Sequence, residues 1–302
     1  MRTSERYLEV SNHRPPGSPA QVPGEIEYIS PASLSNYRYL APDGELSTGV
    51  YDRHIVSMRN GRPNREQYTL QTHGFQLVDH RSAVSDFEDT AQIQALYRGE
   101  VETLLVDLTG ADLALTFGWL WRDARLDAPD TLHPANDAHV DYTAKRGDRQ
   151  ARNMLAQAAP GFECRRIIGL NLWRTYSDPP QDWPLAVCDG ATVGSDEGVT
   201  NTLCPVVRIP DPGTTPEPVP DAAGPMDGTA FHYNPGHQWH YFPDMTRDEA
   251  LVFKLYDSTL TGAWRAPHTS FRDLSRPKAN ARKSLEIRAF VYFAADGGPG
   301  KA

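Results

Sequence analysis

The sequence predicts a mainly β protein, a sandwich or a barrel to which a few helices are added. Three observations lead to this prediction: there are many short apolar or alternating segments, few segments with helical spacing, and one long alternating segment near the C-terminal end. Hydrophobic residues make up 39% and charged residues 23% of the 302 positions, which is typical of a globular protein. A β domain of this size often stands alone, so we expect one main domain.

The last predicted strand, Ser284–Phe293, has the clearest pattern, because its apolar and polar residues alternate. One face is formed by Leu285, Ile287, Ala289 and Val291, and the other by Ser284, Glu286, Arg288 and Phe290. The other predicted strands are Leu113–Trp121, Arg166–Trp173, Leu185–Cys188, His240–Phe242 and Leu251–Tyr256.

Two helices are predicted between and before these strands. The first spans Thr90–Leu105, where apolar residues recur every three to five positions after the capping residue Asp89. The second spans Arg149–Ala158. Thr246 and Glu249 have the spacing of a capping box, which predicts a short helical turn there.

The chain is expected to divide into an N-terminal arm at residues 1–25, a single domain at 26–296 and a flexible tail at 297–302. Residues 209–228 are rich in proline and glycine and predict a long loop within the domain. Long loops in compact domains are often functional, so this loop is a candidate lid over a binding site.

Composition excludes several classes of protein. The net charge of −9 disfavours nucleic-acid binding, because no excess of basic residues is available for phosphate groups. No apolar segment approaches the roughly 18 residues of a membrane-spanning helix, and the N-terminus lacks the apolar core of a secretory signal. Three cysteines without a CxxC motif predict a cytoplasmic protein without disulfides or a zinc–thiolate site.

His139 and Asp141 are the first candidates for chemistry. On a strand, residues two positions apart point to the same face, so imidazole and carboxylate would project side by side. With His268 they would form the set of two histidines and one carboxylate that binds ferrous iron and leaves open coordination positions. For the pair alone, the simpler alternative is a surface salt bridge.

Arg282 and Ser284 are the next candidates, because they share one face at the start of the last strand. A guanidinium and a hydroxyl placed together can bind one carboxylate. The order HxD, His and RxS therefore predicts a metal centre where an α-keto acid binds the metal through its keto and C1 oxygens. Arg282 would then hold the far carboxylate of this acid.

A further group of residues is predicted to line the cavity. Asn171 and Trp173 share a face, and Arg174 is available to pair with an acidic substrate, although Trp173 and Arg174 can equally be core and surface residues. Lys254 and Tyr256 also share a face, and a lysine on an apolar strand needs a partner. Arg174 and Lys254 suggest a small molecule that carries a carboxylate, such as an amino acid.

Seven separated segments together resemble the family of the cephamycin C 7-hydroxylase subunit, also called the gibberellin-desaturase-like oxygenases. They run in order between about residues 48 and 293, which is most of the chain. The segments are His139–Tyr142, Asn171–Arg174, Trp183–Asp189, Tyr241–Glu249, Phe253–Ser258, His268–Phe271 and Ser284–Phe290.

This resemblance implies a non-haem oxygenase on a double-stranded β-helix, or jelly roll, with flanking helices. Fe(II), 2-oxoglutarate and O2 would be its cofactor and co-substrates. It would oxidise an unactivated C–H bond of a small molecule in secondary metabolism, by hydroxylation, desaturation or ring closure such as aziridine formation on an amino acid. The implied iron ligands are His139, Asp141 and His268.

The resemblance also assigns the co-substrate site to Arg282 and Ser284, with Arg288 as the second choice for the guanidinium that holds the carboxylate. Two alternatives stay open at this point. One is an iron enzyme of the same fold that acts without 2-oxoglutarate, as an oxidase or isomerase. The other is a metal-free β-sandwich that only binds its ligand.

Overall fold

The computed structural model describes residues 19–42, 44–125, 132–211, 226–276 and 278–295. These residues form two β-sheets of ten and five strands, referred to below as the large sheet and the small sheet. Apolar side chains of both sheets meet in one continuous core, so the sheets pack face to face. The mainly β prediction is confirmed.

The large sheet has the strand order β1-β4-β12-β9-β14-β7-β11-β10-β2-β3. Its strands are β1 (Gln21–Ile29), β2 (Asn36–Ala41), β3 (Gly44–Ser47), β4 (Tyr51–Asn60), β7 (His139–Val140), β9 (Leu185–Cys188), β10 (Val199–Pro205), β11 (Met226–Ala230), β12 (Trp239–Tyr241) and β14 (His268–Ser270). The strands in its middle, β9, β14 and β7, are short and come from distant parts of the chain.

The small sheet has the order β5-β13-β8-β15-β6, and all its described pairings are antiparallel. Its strands are β5 (Phe75–Asp79), β6 (Leu113–Asp123), β8 (Cys164–Thr175), β13 (Glu249–Asp257) and β15 (Lys283–Ala294). The helices are α1 (Thr90–Gln92), α2 (Arg98–Thr109) and α3 (Ala144–Ala158), with a π-helical turn at Ile93–Tyr97 and 3-10 turns at Arg62–Gln67 and Gly190–Thr192.

The outer face of the small sheet is covered by the continuous helical segment from α1 through the π turn to α2. Ile93, Tyr97, Val101 and Leu105 pack on the apolar residues of β8 and β15. The alternation predicted for β15 is confirmed, because Leu285, Ile287, Ala289 and Val291 all lie in this outer cluster. The polar residues of β15 are therefore turned inwards, towards the large sheet.

Both predicted helices and all six predicted strands are present, with ends shifted by up to five residues. The helical turn predicted at Thr246 is wrong. The Glu249 carboxylate does accept from the Thr246 backbone N–H, at 2.9 Å, but β13 begins at Glu249. Elsewhere this side-chain bond closes the start of a helix. In this chain it closes a turn that leads into a strand.

The predicted arm, loop and tail lie largely or wholly outside the described residues. Strand β1 begins at Gln21, inside the segment assigned to the arm, and pairs with β4 along its whole length. Strand β11 begins at Met226, inside the predicted loop 209–228. No helix among the described residues is both long and apolar enough to cross a membrane.

Glu249 gives a testable account of how the edge of the small sheet is held. Its carboxylate accepts two hydrogen bonds from Arg62, at 2.7 and 2.9 Å, and both side chains are mostly buried. Burial alone would raise the pKa of Glu249, but the bonds from Arg62 outweigh it and hold the pKa below its ordinary value of 4.5.

We therefore expect Glu249→Gln to lower the free energy of unfolding by about 3 kcal/mol at neutral pH. A lowered pKa stabilises the fold above the unfolded value, so the difference between the two proteins should shrink as the pH falls below 4.5. Urea unfolding at several pH values measures this. Glu45→Gln is the control, because the Arg38–Glu45 pair is exposed and should contribute under about 1 kcal/mol.

Candidate active site

Two short strands in the middle of the large sheet bring the predicted metal ligands together. Strands β7 and β14 are antiparallel neighbours, and His268 lies directly opposite His139 in their register. Asp141 follows β7 by one residue, on the same side as His139. A pairing between residues separated by more than a hundred positions therefore creates the cluster.

Within this cluster one oxygen of Asp141 lies 3.6 Å from Nε2 of His139 and 3.7 Å from Nε2 of His268. The two imidazole rings are 4.4 Å apart between their centres. The three candidate ligand atoms lie within 4.8 Å of one another. Two nitrogens and one oxygen at this spacing can be bridged by a single metal ion with bonds of about 2.0–2.2 Å.

Both histidines are oriented by a backbone carbonyl. Nδ1 of His139 lies 2.8 Å from the carbonyl oxygen of Asp137, and Nδ1 of His268 lies 3.4 Å from that of Ala266. A proton on each Nδ1 satisfies these contacts and leaves the lone pair of each Nε2 directed towards Asp141. Burial lowers the pKa of His268 to about 3, so this imidazole is neutral at physiological pH.

Asp141 is held by Arg288 of β15, on the facing sheet. Nε of Arg288 donates to Oδ2 of Asp141 at 2.6 Å, and its terminal nitrogen donates to Glu286 at 2.9 Å. Burial would raise the pKa of Asp141, but Arg288 and the two histidines together outweigh burial and keep the pKa well below the usual range. The carboxylate of Asp141 therefore stays charged, and its Oδ1 faces the two histidines.

Arg288 reaches this carboxylate because the alternation of β15 turns it inwards, towards the large sheet. Beside it the neighbouring strand β6 bulges: the register shifts between Ile287 and Arg288, and Gly118 is the extra residue on β6. Gly118 has a φ of 52°, which glycine adopts without strain. Arg288, the second choice for a co-substrate clamp, donates in this structure to the candidate metal ligand Asp141.

Arg282, just before β15, is buried and only half satisfied. Its Nη1 donates to the carbonyl of Trp183 at 2.7 Å and to the hydroxyl of Ser270 at 2.9 Å. Its Nε and Nη2 have no hydrogen-bond partner among the described residues, and neither does the buried hydroxyl of Ser284. Burial lowers the pKa of Arg282 to about 9, which leaves it charged at neutral pH.

A small cavity lies between the histidines and Arg282. The guanidinium of Arg282 lies 5.4 Å from the centre of the Trp173 ring, which also lines the cavity. The complete lining is Arg122, Ala135, His139, Trp173, Leu185, His268, Thr269, Ser270, Arg282 and Glu286.

Two charged residues of this cavity are not among the residues predicted from the sequence. Glu286 bonds to Arg288 and lies 3.8 Å from Arg122. Its inward position follows from the alternation of β15, so the signal for Glu286 was present. Arg122 lies at the end of β6 opposite Ser284, and this pairing register cannot be read from composition or spacing.

The five predicted cavity residues divide into two groups. Asn171 and Trp173 point into the space between the sheets, as predicted, and Trp173 lines the cavity. Tyr256 packs under α3, where its ring closely approaches Gly147 and its hydroxyl donates to Asp148 at 3.1 Å. Tyr256 therefore supports the helix rather than lining the cavity.

Arg174 points to the opposite face of the small sheet, which corrects its prediction as a substrate-binding residue. Its Nε donates to the Tyr97 hydroxyl at 2.9 Å, and its terminal nitrogens bind His80 and the carbonyl of Arg247. Since the side chain next to Trp173 on a strand must face the other way, Arg174 fastens the helical layer to the sheet.

Lys254 also faces outwards, which corrects its prediction. Its ammonium donates to Asp257 at 2.8 Å, and Asp257 also binds Arg166. Simple alternation would place Lys254 and Asp257 on opposite faces. A bulge at Leu255 shifts the register by one residue and brings both to the same face.

The fold and the cluster together define a class. The inner side of the two facing sheets carries two imidazoles and a carboxylate, and beside them lies a cavity lined by a guanidinium that keeps two donors without a partner among the described residues. This is the arrangement of a non-haem iron oxygenase, in which three protein ligands leave positions for co-substrate and O2.

Comparisons with known proteins identify the family. Residues 26–292 match the model of the family described as "Oxidoreductase/YMDC permease-like domain". The hydroxylase/desaturase CTB9 of Cercospora beticola is 35% identical over 263 residues, which cover 80% of this chain and 78% of CTB9. The Fe(II)/2-oxoglutarate-dependent dioxygenase nvfI of Aspergillus novofumigatus is 26% identical and covers 91% of this chain and 98% of its own length.

A solved structure confirms the predicted jelly roll. The iron and alpha-ketoglutarate-dependent endoperoxidase NvfI superposes with a TM-score of 0.76 over 91% of this chain and 99% of NvfI, at 23% identity. The chain belongs to the family whose model it matches. The predicted class, a non-haem Fe(II)/2-oxoglutarate-dependent oxygenase that oxidises a small molecule, is confirmed.

The contact between Arg288 and Asp141 predicts a loss of stability when it is broken. Arg288→Leu leaves the carboxylate of Asp141 buried without its cation, so we expect the free energy of unfolding of the metal-free protein to fall by about 3 kcal/mol. Arg152→Leu is the control, because the Arg152–Asp148 pair is exposed and should contribute under about 0.5 kcal/mol. Equal losses for both variants in urea unfolding would show that Arg288 does not hold Asp141.

Proposed function

We propose that His139, Asp141 and His268 bind Fe(II), and that Arg282 and Ser284 bind the far carboxylate of 2-oxoglutarate. The observation that carries this proposal is the placement of a buried, half-satisfied guanidinium across one cavity from the histidine–aspartate cluster. Buried polar groups normally have partners, so Nε and Nη2 of Arg282 and the Ser284 hydroxyl indicate a missing ligand.

The three ligand residues fit a divalent iron. Each histidine offers Nε2 while a backbone carbonyl fixes its other nitrogen, and Asp141 offers Oδ1 while Arg288 fixes Oδ2. With iron bound, the site would supply the oxidising power for an unactivated C–H bond at the cost of O2 and 2-oxoglutarate. The protein's share is to fix the ligands, hold the co-substrate and limit access of water.

The charges around the cavity suit a dianion. Among the residues that line the cavity, Arg122 and Arg282 contribute two positive charges, against one negative charge from Glu286. A divalent metal would raise this excess from one to three. A dicarboxylate then lowers the excess again, and it binds most favourably with its far end on the planar fork of Arg282.

The organic substrate is a small molecule, and we retain an amino acid or another carboxylate as the more specific prediction. Arg174 and Lys254 no longer support it, because internal partners bind both. Arg265, three residues before His268, does not replace them: it lines a second pocket together with Asp196 and Glu197, and its Nη2 donates to the backbone carbonyls of Gly194 and Glu197.

Hydroxylation, desaturation and ring closure all begin with removal of a hydrogen atom, so each remains part of the proposal. A hydroxylase/desaturase and an endoperoxidase among the relatives support an oxidation in secondary metabolism. The single domain at 26–296, the lid role of loop 209–228 and the cytoplasmic location stay predictions.

The main rival is an iron enzyme of this fold that needs no 2-oxoglutarate, and one experiment separates the two. Under anaerobic conditions, Fe(II) and 2-oxoglutarate are added to the wild-type protein, and metal content and 2-oxoglutarate binding are measured by equilibrium dialysis and calorimetry. We expect one iron per chain and binding of 2-oxoglutarate that requires the metal.

Two variants test the assigned roles in that experiment. Arg282→Leu should keep the iron but weaken 2-oxoglutarate binding at least about 100-fold, since it removes a charge-assisted bidentate contact. His139→Ala should lose the iron. If the wild-type protein binds iron but not 2-oxoglutarate, and Arg282→Leu binds iron equally well, the rival is correct.

A further inference from the structure

Asn171 is a buried asparagine at the centre of the small sheet. It lies in the middle of β8, is fully buried, and neither its Nδ2 nor its Oδ1 has a hydrogen-bond partner among the described residues. Asn36 and Asn201 are buried too, but they bond to each other at 3.1 Å. An amide buried without a partner is destabilising. A buried amide of this kind therefore points to a ligand that satisfies it.

The strand register places this amide against the candidate metal site. Asn171 pairs with Phe253 on one side and with Arg288 on the other. The ring of Phe253 packs 4.6 Å from that of His268, and Arg288 bonds to Asp141. Asn171 is therefore flanked by two residues that each contact a different candidate metal ligand.

Asn171 also shares its face with Trp173, which lines the cavity between the histidines and Arg282. On the inner face, Arg282, Trp173 and Asn171 follow one another from the guanidinium towards the candidate metal ligands. A molecule held at one end by Arg282 and at the other by the metal would present its metal-bound end to Asn171.

We propose that the amide of Asn171 donates a hydrogen bond to the C1 carboxylate of the metal-bound 2-oxoglutarate. This inference rests on the proposed function. The Nδ2 group is a donor, and the metal-bound end of an α-keto acid offers carboxylate and keto oxygens as acceptors. Arg282 and Asn171 then grip the two ends of one molecule, which selects an α-keto dicarboxylate over shorter acids.

The test compares 2-oxoglutarate binding by calorimetry in protein loaded with Mn(II), which serves as a redox-stable substitute for Fe(II). Asn171→Leu, of similar volume, should weaken binding about 10- to 100-fold while Mn(II) affinity and the unfolding temperature of the metal-free protein are maintained. Asn171→Ala provides a second variant without the amide, should the leucine variant not fold. Asn201→Leu is the control, because it removes a buried amide on β10, two strands from β7, that bonds to Asn36, and it should not change 2-oxoglutarate binding.

The outcomes distinguish a failure of the proposed function from a failure of the role of Asn171. If the Mn(II)-loaded wild type does not bind 2-oxoglutarate, the proposed function itself is wrong. If the wild type binds and both Asn171 variants bind equally well, only the role of Asn171 is wrong. A loss of Mn(II) affinity in both variants would also overturn this inference, since it would show that Asn171 supports the metal ligands and not the co-substrate.

Discussion

The antiparallel pairing of β7 with β14 is the constraint on which the whole site depends. It places His268 directly opposite His139, and the two strands together hold only five residues. Because side chains alternate along a strand, a shift of one residue in either strand would turn one imidazole to the other face of the large sheet. The neighbouring strands β9 and β11 fix this register from both sides, through Val187 and Ala230. The neighbouring strands β9 and β11 thus hold a short and exact pairing at the centre of the large sheet.

The small sheet supplies charged side chains that face the large sheet. Its strand β15 has an apolar outer face under the helical layer and a polar inner face that carries Ser284, Glu286 and Arg288. The helices bury the outer face, and this burial is what allows buried charges on the inner face to be tolerated. Arg288 uses its charge on Asp141, whereas Arg282 keeps two donors without a partner among the described residues. Two arginines six positions apart therefore serve different ends of the same cavity.

Much of the fold and of the candidate site can be predicted from the sequence, because these parts depend on local periodicity. The alternation in Ser284–Phe293, the helical spacing after Asp89 and the i, i+2 spacing of His139 and Asp141 each survive in the structure. The failures have two causes: alternation along β8 itself excludes Arg174 from the face of Trp173, and elsewhere the face of a residue depends on bulges and on pairing with other strands. Arg174 was placed in the cavity although its neighbour Trp173 already occupied that face, and the bulge at Leu255 reversed the expected face of Asp257. Arg122 entered the site only through the register between β6 and β15.

One cavity should hold the metal at one end and a dicarboxylate at the other. A crystal structure of the protein with Mn(II) and 2-oxoglutarate, grown without O2, would show this. We expect one metal ion bound by His139, Asp141 and His268, with the far carboxylate of 2-oxoglutarate on Arg282. A metal ion bound by other residues, or 2-oxoglutarate bound away from Arg282, would contradict it.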